Sequence, residues 1–301
     1  MNIKEKSSGF KSGFVAIVGA PNAGKSTLLN RMIGEKVSIT SKKPQTTRNR
    51  IIGVVHRPFS QIVFIDTPGM HVAKGELNLR IVETALSSMG NVDIVIFLLD
   101  VSNPDPASEG FIAEQVQKKQ GNVILVLNKI DLVDKSRLLA AMDKWSKIYP
   151  FEALIPVSAR HGIQVEDLLK AIEALLNEGP HFFPEDAFTD VPQRFIAAEM
   201  IREKVFRLTG QEIPYSTAVT IDSFNVKKKG AFVKIGATIH VERASQKGII
   251  IGRGGSKIKT IGESARKDIE RMVGGKVFLS LFVHVQKDWS KDTRALRKFG
   301  Y

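Results

Sequence analysis

The sequence predicts an α/β unit built on a mostly parallel sheet with helices on both faces, followed by a smaller α+β unit. Three observations lead there. Strand-length apolar runs alternate with helical patterns over the first 175 residues, which is the pattern of βαβ units. The stretch "NEGPHFFPEDAFTDVPQ", with its prolines and clustered acids, then breaks the periodicity. Beyond it the order becomes helix, strand, strand, helix, turn, helix, strand. These signals place the first unit at 1–180, a linker at 181–193 and the second unit at 194–301.

Each element has its own warrant. "FVAIVG", "QIVFID", "VDIVIFLLD", "NVILVLN" and "ALIPVS" read as strands, and "GKSTLLNRMIG" and "VEDLLKAIEALL" as helices between and after them. In the second unit, "PQRFIAAEMIREKVFRLTG" puts apolar residues at 195, 196, 201, 205 and 208 and stops at a glycine, as amphipathic helices do. "STAVTIDSF" and "AFVKIGATIHV", joined by the basic turn "NVKKKG", read as a hairpin. A short helix, a glycine turn, the helix "SKIKTIGESARKDIERMVG" and the strand "KVFLSLFVHV" complete the unit.

Composition narrows the function classes. The chain of 301 residues has no cysteine, which excludes disulfides and thiolate zinc and fits a reducing, cytoplasmic setting. Its N-terminus lacks the apolar core of a signal peptide, and its longest apolar runs are strand-length. The formal net charge is +13. Residues 1–180 carry 22 basic and 18 acidic side chains, whereas 181–301 carry 22 and 13. The basic excess therefore sits in the shorter C-terminal part, which points to a polyanion, either nucleic acid or an anionic membrane surface.

"GAPNAGKST", 19–27, follows a strand and opens a helix, matching G-x-x-x-x-G-K-[ST] in the context that motif needs. Gly19, Ala20, Pro21, Asn22, Ala23 and Gly24 would wrap backbone N–H groups around phosphate oxygens at the positive end of the helix dipole. Lys25 would sit over the β and γ phosphates; Ser26 would ligate Mg²⁺, with Thr27 beside it. "DTPG" ends a strand, so Asp66 can reach Mg²⁺ and the Gly69 N–H the γ phosphate, with Thr67, Pro68 and Met70 in the same segment.

"NKID" ends another strand. There Asp131 can accept from guanine N1–H and the 2-amino group, while Asn128 braces the loop, the Lys129 stem covers the base and Ile130 lies between them. A carboxylate facing adenine would be left unpaired, so the base is guanine. In "VSAR", Ser158 and Ala159 belong to the same loop set, and the Ala159 N–H is placed for guanine O6. One of Thr46 and Thr47 in "KPQTTRNR" should complete the Mg²⁺ shell, and Thr47 is favoured. The catalytic set is then Asn22, Lys25, Thr47, Asp66 and Gly69, with Ser26, Thr47 and Asp66 on the metal.

Ras-type hydrolysis uses a glutamine directly after D-x-x-G to orient water. Here Met70 stands in that position, and Asn22 offers another route, holding K⁺ where an arginine finger would place its charge. Intrinsic turnover should be slow.

With these motifs and "IIIGRGGSKIKTIG" in a basic C-terminal part, the sequence resembles the bacterial Era family of GTPases over nearly its whole length. The resemblance implies a P-loop GTPase domain followed by a type II KH domain, in which helix and hairpin precede the G-x-x-G turn. It further implies binding to 16S ribosomal RNA near its 3′ end, a role in maturing the 30S subunit linked to growth and division, and peripheral association with the inner membrane. A monomer exchanging GTP and GDP is expected.

The turn itself can be read without the resemblance. Lys257 stands where a dinucleotide fingerprint would need its third glycine, whereas Gly252, Arg253, Gly254 and Gly255 fit G-x-x-G, whose small residues clamp about four nucleotides of single-stranded RNA. Arg253, Lys257 and Lys259 would take phosphates, and Ile249, Ile250, Ile251 and Ile258 would floor the bases. The turn "KKK" and the basic tail would add salt-sensitive attraction. Trp289 and Tyr301 are expected to pack rather than stack on bases, and His71, His161 and His284 receive no role. A membrane-targeting surface is the alternative for the basic part, but lipid attraction needs no G-x-x-G turn. A nucleotide-gated RNA tether, with turnover incidental, is the alternative to a switch.

Overall fold

The structure is a computed structural model that describes residues 9–40, 50–70, 85–90, 92–119, 121–210, 213, 217–227 and 232–299. The chain divides into two compact units; the first ends at Asp190 and the second begins at Val191, with residues 38–40 grouped in the second.

The first unit holds a six-stranded sheet in the order β2-β3-β1-β4-β5-β6. Its strands are β1 (Lys11–Gly19), β2 (Ile51–Arg57), β3 (Ser60–Asp66), β4 (Ile94–Asp100), β5 (Asn122–Asn128) and β6 (Ala153–Val157). β1, β3, β4, β5 and β6 run parallel, and β2 is antiparallel to β3. Every residue of β3 and β4 is buried, as expected where helices cover both faces of a parallel sheet. α2 (Pro106–Lys119) and α3 (Lys135–Ser146) cover one face, placing Ile112, Val116 and Trp145 against Val95, Phe97 and Leu125. Trp145 meets the Phe97 ring edge-on at 5.4 Å. α1 (Lys25–Ile33) packs beside α4 (Val165–Leu175), which buries Val165, Leu168, Leu169 and Ile172.

β2 has no counterpart among the strands read from the sequence. Gly53, His56 and Arg57 interrupt its apolar run, and it follows directly on a polar, basic stretch. Tertiary pairing with β3 makes it a strand, since propensity in strands yields readily to context.

The stretch read as a linker is not a free tether up to residue 189. Gln61, fully buried in β3, accepts from the N–H groups of Phe182 (2.7 Å) and Phe183 (3.0 Å) and donates to the Phe183 carbonyl (2.8 Å). The Val54 N–H donates to the Phe188 carbonyl, and Thr189 Oγ1 donates to Ile52, both along the outer edge of β2. These residues form a strap on the first unit.

The second unit contains α5 (Gln193–Leu208), β7 (Ala218–Lys227), β8 (Phe232–Val241), α6 (Ala244–Ile251), α7 (Ser256–Val273), β9 (Lys276–Val285) and α8 (Thr293–Lys298). Its sheet runs β7-β8-β9, with β7 antiparallel and β9 parallel to β8. One sheet face joins Ile201 and Val205 of α5, Ile250 of α6, and Ile261, Ala265 and Ile269 of α7 in a single core. The core of α5 is wider than its apolar spacing suggests, because Glu199, Arg202, Glu203 and Lys204 are buried as well. Arg202 is fully enclosed and pairs with Glu199 at 2.7 and 2.5 Å, while Lys204 bridges Glu203 and Asp268 of α7. Buried charges persist only when paired in this way. Trp289 is fully buried against Phe299.

Candidate functional site: a nucleotide loop and an RNA groove

The C-terminal ends of β1, β3, β5 and β6 and the loops beyond them gather the residues that the sequence singles out. Ligands bind outside the carboxyl ends of strands in open α/β sheets, and the four segments meet there. Gly24 takes φ 104° and Asn22 φ 64°, and these left-handed residues fold the loop back before α1 begins. Gly19 is required by space, since a Cβ there would lie 2.4 Å from the Leu98 carbonyl oxygen.

Lys25 is buried, and its Nζ donates to the carbonyls of Gly19 and Ala20, both at 2.9 Å. Burial pushes its pKa down to about 8, and the charge of Asp66 opposes that shift. A desolvated ammonium held inside a glycine loop is suited to pair with phosphate oxygens. Ser26 Oγ donates to Asp66 Oδ2 at 2.7 Å, so a hydroxyl and a carboxylate converge at the start of α1. These are hard oxygen donors, and the set fits Mg²⁺.

The segment 66–70 is fixed against the loop. Thr67 Oγ1 donates to the Ile17 carbonyl at 2.7 Å, and the Met70 N–H donates to Gly19 at 3.2 Å. A Cβ on Gly69 would approach the Pro21 Cα to 2.8 Å, so glycine sets how closely the two loops meet. Met70 is fully buried in the core, which leaves it no part in orienting water. Pro68 lies in the same buried run, and Thr27 opens α1 half-buried.

The base side is held by Asn128. Its Nδ2 donates to the Ala23 carbonyl (2.8 Å) and its Oδ1 accepts from the Ala159 N–H (3.0 Å), tying the phosphate loop, β5 and the loop after β6 together. The N–H assigned from sequence to guanine O6 is thus engaged with Asn128 here. Asp131 accepts from Ser158 Oγ at 2.6 Å, which fixes one oxygen of its carboxylate. Lys129, at φ 66°, pairs its Nζ with Asp100 at 2.5 Å, and Ile130 opens the short 3₁₀ turn that carries Asp131. Thr46 and Thr47 lie outside the described residues.

Two residues at the site escaped the sequence reading. Asp100 ends β4 opposite Asn128 in the register, and a lone carboxylate at the C-terminal end of a parallel strand was the available signal. Arg31, in the last turn of α1, donates to the carbonyls of Ala159 (3.3 Å) and Arg160 (2.5 Å).

In the second unit, Gly252, Gly254 and Gly255 take φ of 74°, 58° and 77° between α6 and α7. A Cβ at Gly252 would meet Lys257 Cβ at 2.7 Å, whereas at Gly254 and Gly255 it would meet open space. Arg253 and Lys259 are exposed; Ile251, Lys257 and Ile258 are half-buried. Ile250 is fully buried and is core, not floor, while Ile249 is 45% exposed. A groove of about 340 Å³ runs between α7 and the edge strand β9, lined by Ile258, Lys259, Gly262 and Arg266 on one side and Phe278 and Leu281 on the other. Among the described residues no helix is long and apolar enough to cross a membrane, and no group of three or more potential ligand side chains could hold a metal ion.

A P-loop domain built to bind a guanine nucleotide, followed by an α+β unit with a G-x-x-G turn beside a groove, defines a GTPase carrying a KH domain. A family model described as "50S ribosome-binding GTPase" matches residues 14–129, and one described as "KH domain" matches 212–290. GTPase Era of Geobacter sp. (strain M21) is 56% identical over 292 residues, which is 97% of this chain and 98% of that protein. GTPase Era of Lactobacillus helveticus (strain DPC 4571) is 46% identical over 294 residues, 97% and 96% of the two. The chain belongs to the GTPase Era family, whose reaction is hydrolysis of GTP to GDP and phosphate.

Two solved structures are similar over nearly the whole chain. Era in complex with MgGDPNP and nucleotides 1506–1542 of 16S ribosomal RNA is 40% identical with a TM-score of 0.93, covering 97% of this chain and 99% of that one. An Aquifex aeolicus Era variant bound to GDP and AlF₄⁻ is 39% identical with a TM-score of 0.92 and the same coverage.

Proposed function

We propose that this GTPase uses the nucleotide held by residues 19–27 to switch how its KH domain grips the 3′ region of 16S ribosomal RNA during assembly of the small ribosomal subunit. The observation that carries the RNA reading is the turn at 252–255, open at Gly254 and Gly255, at the start of the helix α7 whose residues Ile258, Lys259, Gly262 and Arg266 line a basic and apolar groove against β9. Such a groove clamps about four nucleotides of single strand. The relative crystallised with a 16S rRNA fragment supports the same assignment.

In the nucleotide-bound protein, Lys25 offers its desolvated charge to the β and γ phosphates, and the Gly69 N–H meets the γ phosphate. Ser26, Asp66 and Thr47 hold Mg²⁺, which neutralises charge on the bridging phosphate oxygens. Asn128, Lys129 and Asp131 select guanine. Met70 gives no side-chain acceptor for the attacking water. Asn22, exposed in the loop, would hold K⁺, whose charge would stand in place of a cationic finger, and turnover by the protein alone is slow. Hydrolysis then releases the contacts to the γ phosphate and resets the grip on RNA. The protein acts as a monomer and meets the inner membrane only peripherally.

The test is Arg253→Asp combined with Gly254→Asp. Position 254 has room for a side chain, and aspartate tolerates its left-handed φ of 58°. Single-stranded RNA binding should be lost while GTP affinity stays unchanged; unaltered RNA affinity would remove the turn from the interface.

A further inference from the structure

The sheet of the second unit has a second face. Val233, Ile235, Ala237 and Ile239 of β8, and Val277, Leu279, Leu281 and Val283 of β9, point into the core. Because side chains alternate along a strand, the intervening residues point the other way. The parallel register pairs Phe232 with Lys276, Lys234 with Phe278, Gly236 with Ser280 and Thr238 with Phe282. On the other side of β8, Lys227 pairs with Phe232 and Asn225 with Lys234.

This outer face is apolar and basic at once. Phe232, Phe278 and Phe282 are 39%, 52% and 63% exposed, an unusual concentration of uncovered rings on one small sheet. Lys227, Lys234 and Lys276 are exposed among them, and Lys234 Nζ lies 5.9 Å from the centre of the Phe278 ring. The three strands carry a single carboxylate, Asp222, and it accepts from Thr220 and Thr238. At the far end α8 closes the face, with Phe299 at 4.5 Å from the His240 ring. The open part therefore lies toward the Phe232 end.

Phe278 belongs to both surfaces. It lines the groove beside α7 and also stands on the outer face, because β9 is the edge strand of the sheet. We propose that single-stranded RNA leaving the G-x-x-G groove rounds the edge of β9 and lays successive bases on Phe282, Phe278 and Phe232, the order in which the register sets them along the sheet, with Lys227, Lys234 and Lys276 taking the backbone charge. Rings separated by one diagonal or by four residues of strand stand roughly 7 to 13 Å apart, so each takes its own base. Aromatic platforms interleaved with cations are how sheets hold single strands without reading their sequence. An apolar protein partner would instead strip water from three ammonium groups and offer them nothing. The inference rests on the proposed RNA groove and extends it.

The experiment uses the full chain and two oligoribonucleotides from the 3′ end of 16S rRNA, one of about four nucleotides to fill the groove and one of about twelve. Phe282→Ala and Phe232→Ala remove exposed rings and leave the core intact. The long RNA should bind each variant about tenfold more weakly, within the range of a lost stacking platform, and the short one should bind unchanged. Unchanged binding of the long RNA, or an equal loss for both, overturns the proposal. If the unmodified protein binds neither RNA, it is the groove assignment that fails. A Phe282→Trp variant, read against the buried Trp145 and Trp289, should lose emission with the long RNA only. Emission unmoved by RNA but altered by protein components of the small subunit would assign the face to a protein partner and refute the RNA path.

Discussion

Asn128 links three loops through two hydrogen bonds, and a double-mutant cycle with Gly24 measures what that link is worth. Asn128→Ala leaves the Ala23 carbonyl and the Ala159 N–H, bonded at 2.8 and 3.0 Å, without their partner in a site where Asn128 itself is 2% exposed. A buried polar group left unpaired costs about 1 to 3 kcal/mol, so the loss of two partners should cost about 2 to 6 kcal/mol. Gly24→Ala acts on the same pair of bonds by a different route. Its Cβ would lie 2.3 Å from Asn128 Nδ2, which displaces the amide, and alanine at φ 104° is strained besides. That backbone strain is about 1 to 3 kcal/mol and persists whatever stands at 128. The displacement does not persist, because Asn128→Ala removes the atom that is struck. The double variant should therefore be less destabilised than the sum of the singles by about 1 to 3 kcal/mol. Urea unfolding followed at Trp145, which is buried in this unit, gives the four free energies, and GDP dissociation should quicken at least about tenfold in each variant, the rate equivalent of roughly 1.4 kcal/mol. Additivity within about 0.5 kcal/mol would refute the account, since it would mean that the two residues do not share the bonds.

Two other substitutions probe separate parts of the first unit. Asp131→Asn exchanges a double acceptor for one acceptor and one donor, which suits xanthine, whose 2-oxo group replaces the amino group of guanine; competition against a fluorescent GDP should show preference for XTP over GTP by about a hundredfold. Retained GTP preference would take Asp131 off the base. Gln61→Leu keeps the bulk but removes the acceptor and donor for Phe182 and Phe183, so it should cost about 2 to 4 kcal/mol in urea and expose the 180s to protease. Resistance equal to that of the unmodified protein would show that the strap is held by its apolar residues alone.

The parts of this molecule that the sequence made legible are those in which local chemistry forces the residue. Gly19 is glycine because the Leu98 carbonyl leaves no room, and Gly252 because Lys257 does; such positions recur as motifs and can be read in isolation. The central parallel strands were legible because burial on both faces demands continuous apolar runs, as in β3 and β4. What stayed hidden depends on partners far along the chain. β2 becomes a strand through its pairing with β3, and Gln61 looks like a polar strand end until Phe182 and Phe183 arrive from 121 residues away and more. Glu199, Arg202, Glu203 and Lys204 look like a solvated helix face, and the ion pairs to one another, to Arg207 and to Asp268 allow them inside. The outer rings of β9 belong to the same group, since Phe278 and Phe282 break the polar face of Lys276, Ser280 and His284 and make the whole run read as buried.

The strap also bears on how the chain is made. β2 is the outermost strand of its sheet, and an uncovered strand edge pairs readily with any other extended chain. Its cover, from Phe182 to Thr189, is the last part of the first unit to leave the ribosome. A nascent chain that has emerged only to residue 180 therefore has its nucleotide loops in sequence but its sheet edge still bare. The first unit closes only as the first residues of the KH domain are being added, so translation itself joins completion of the GTPase to the appearance of its second domain.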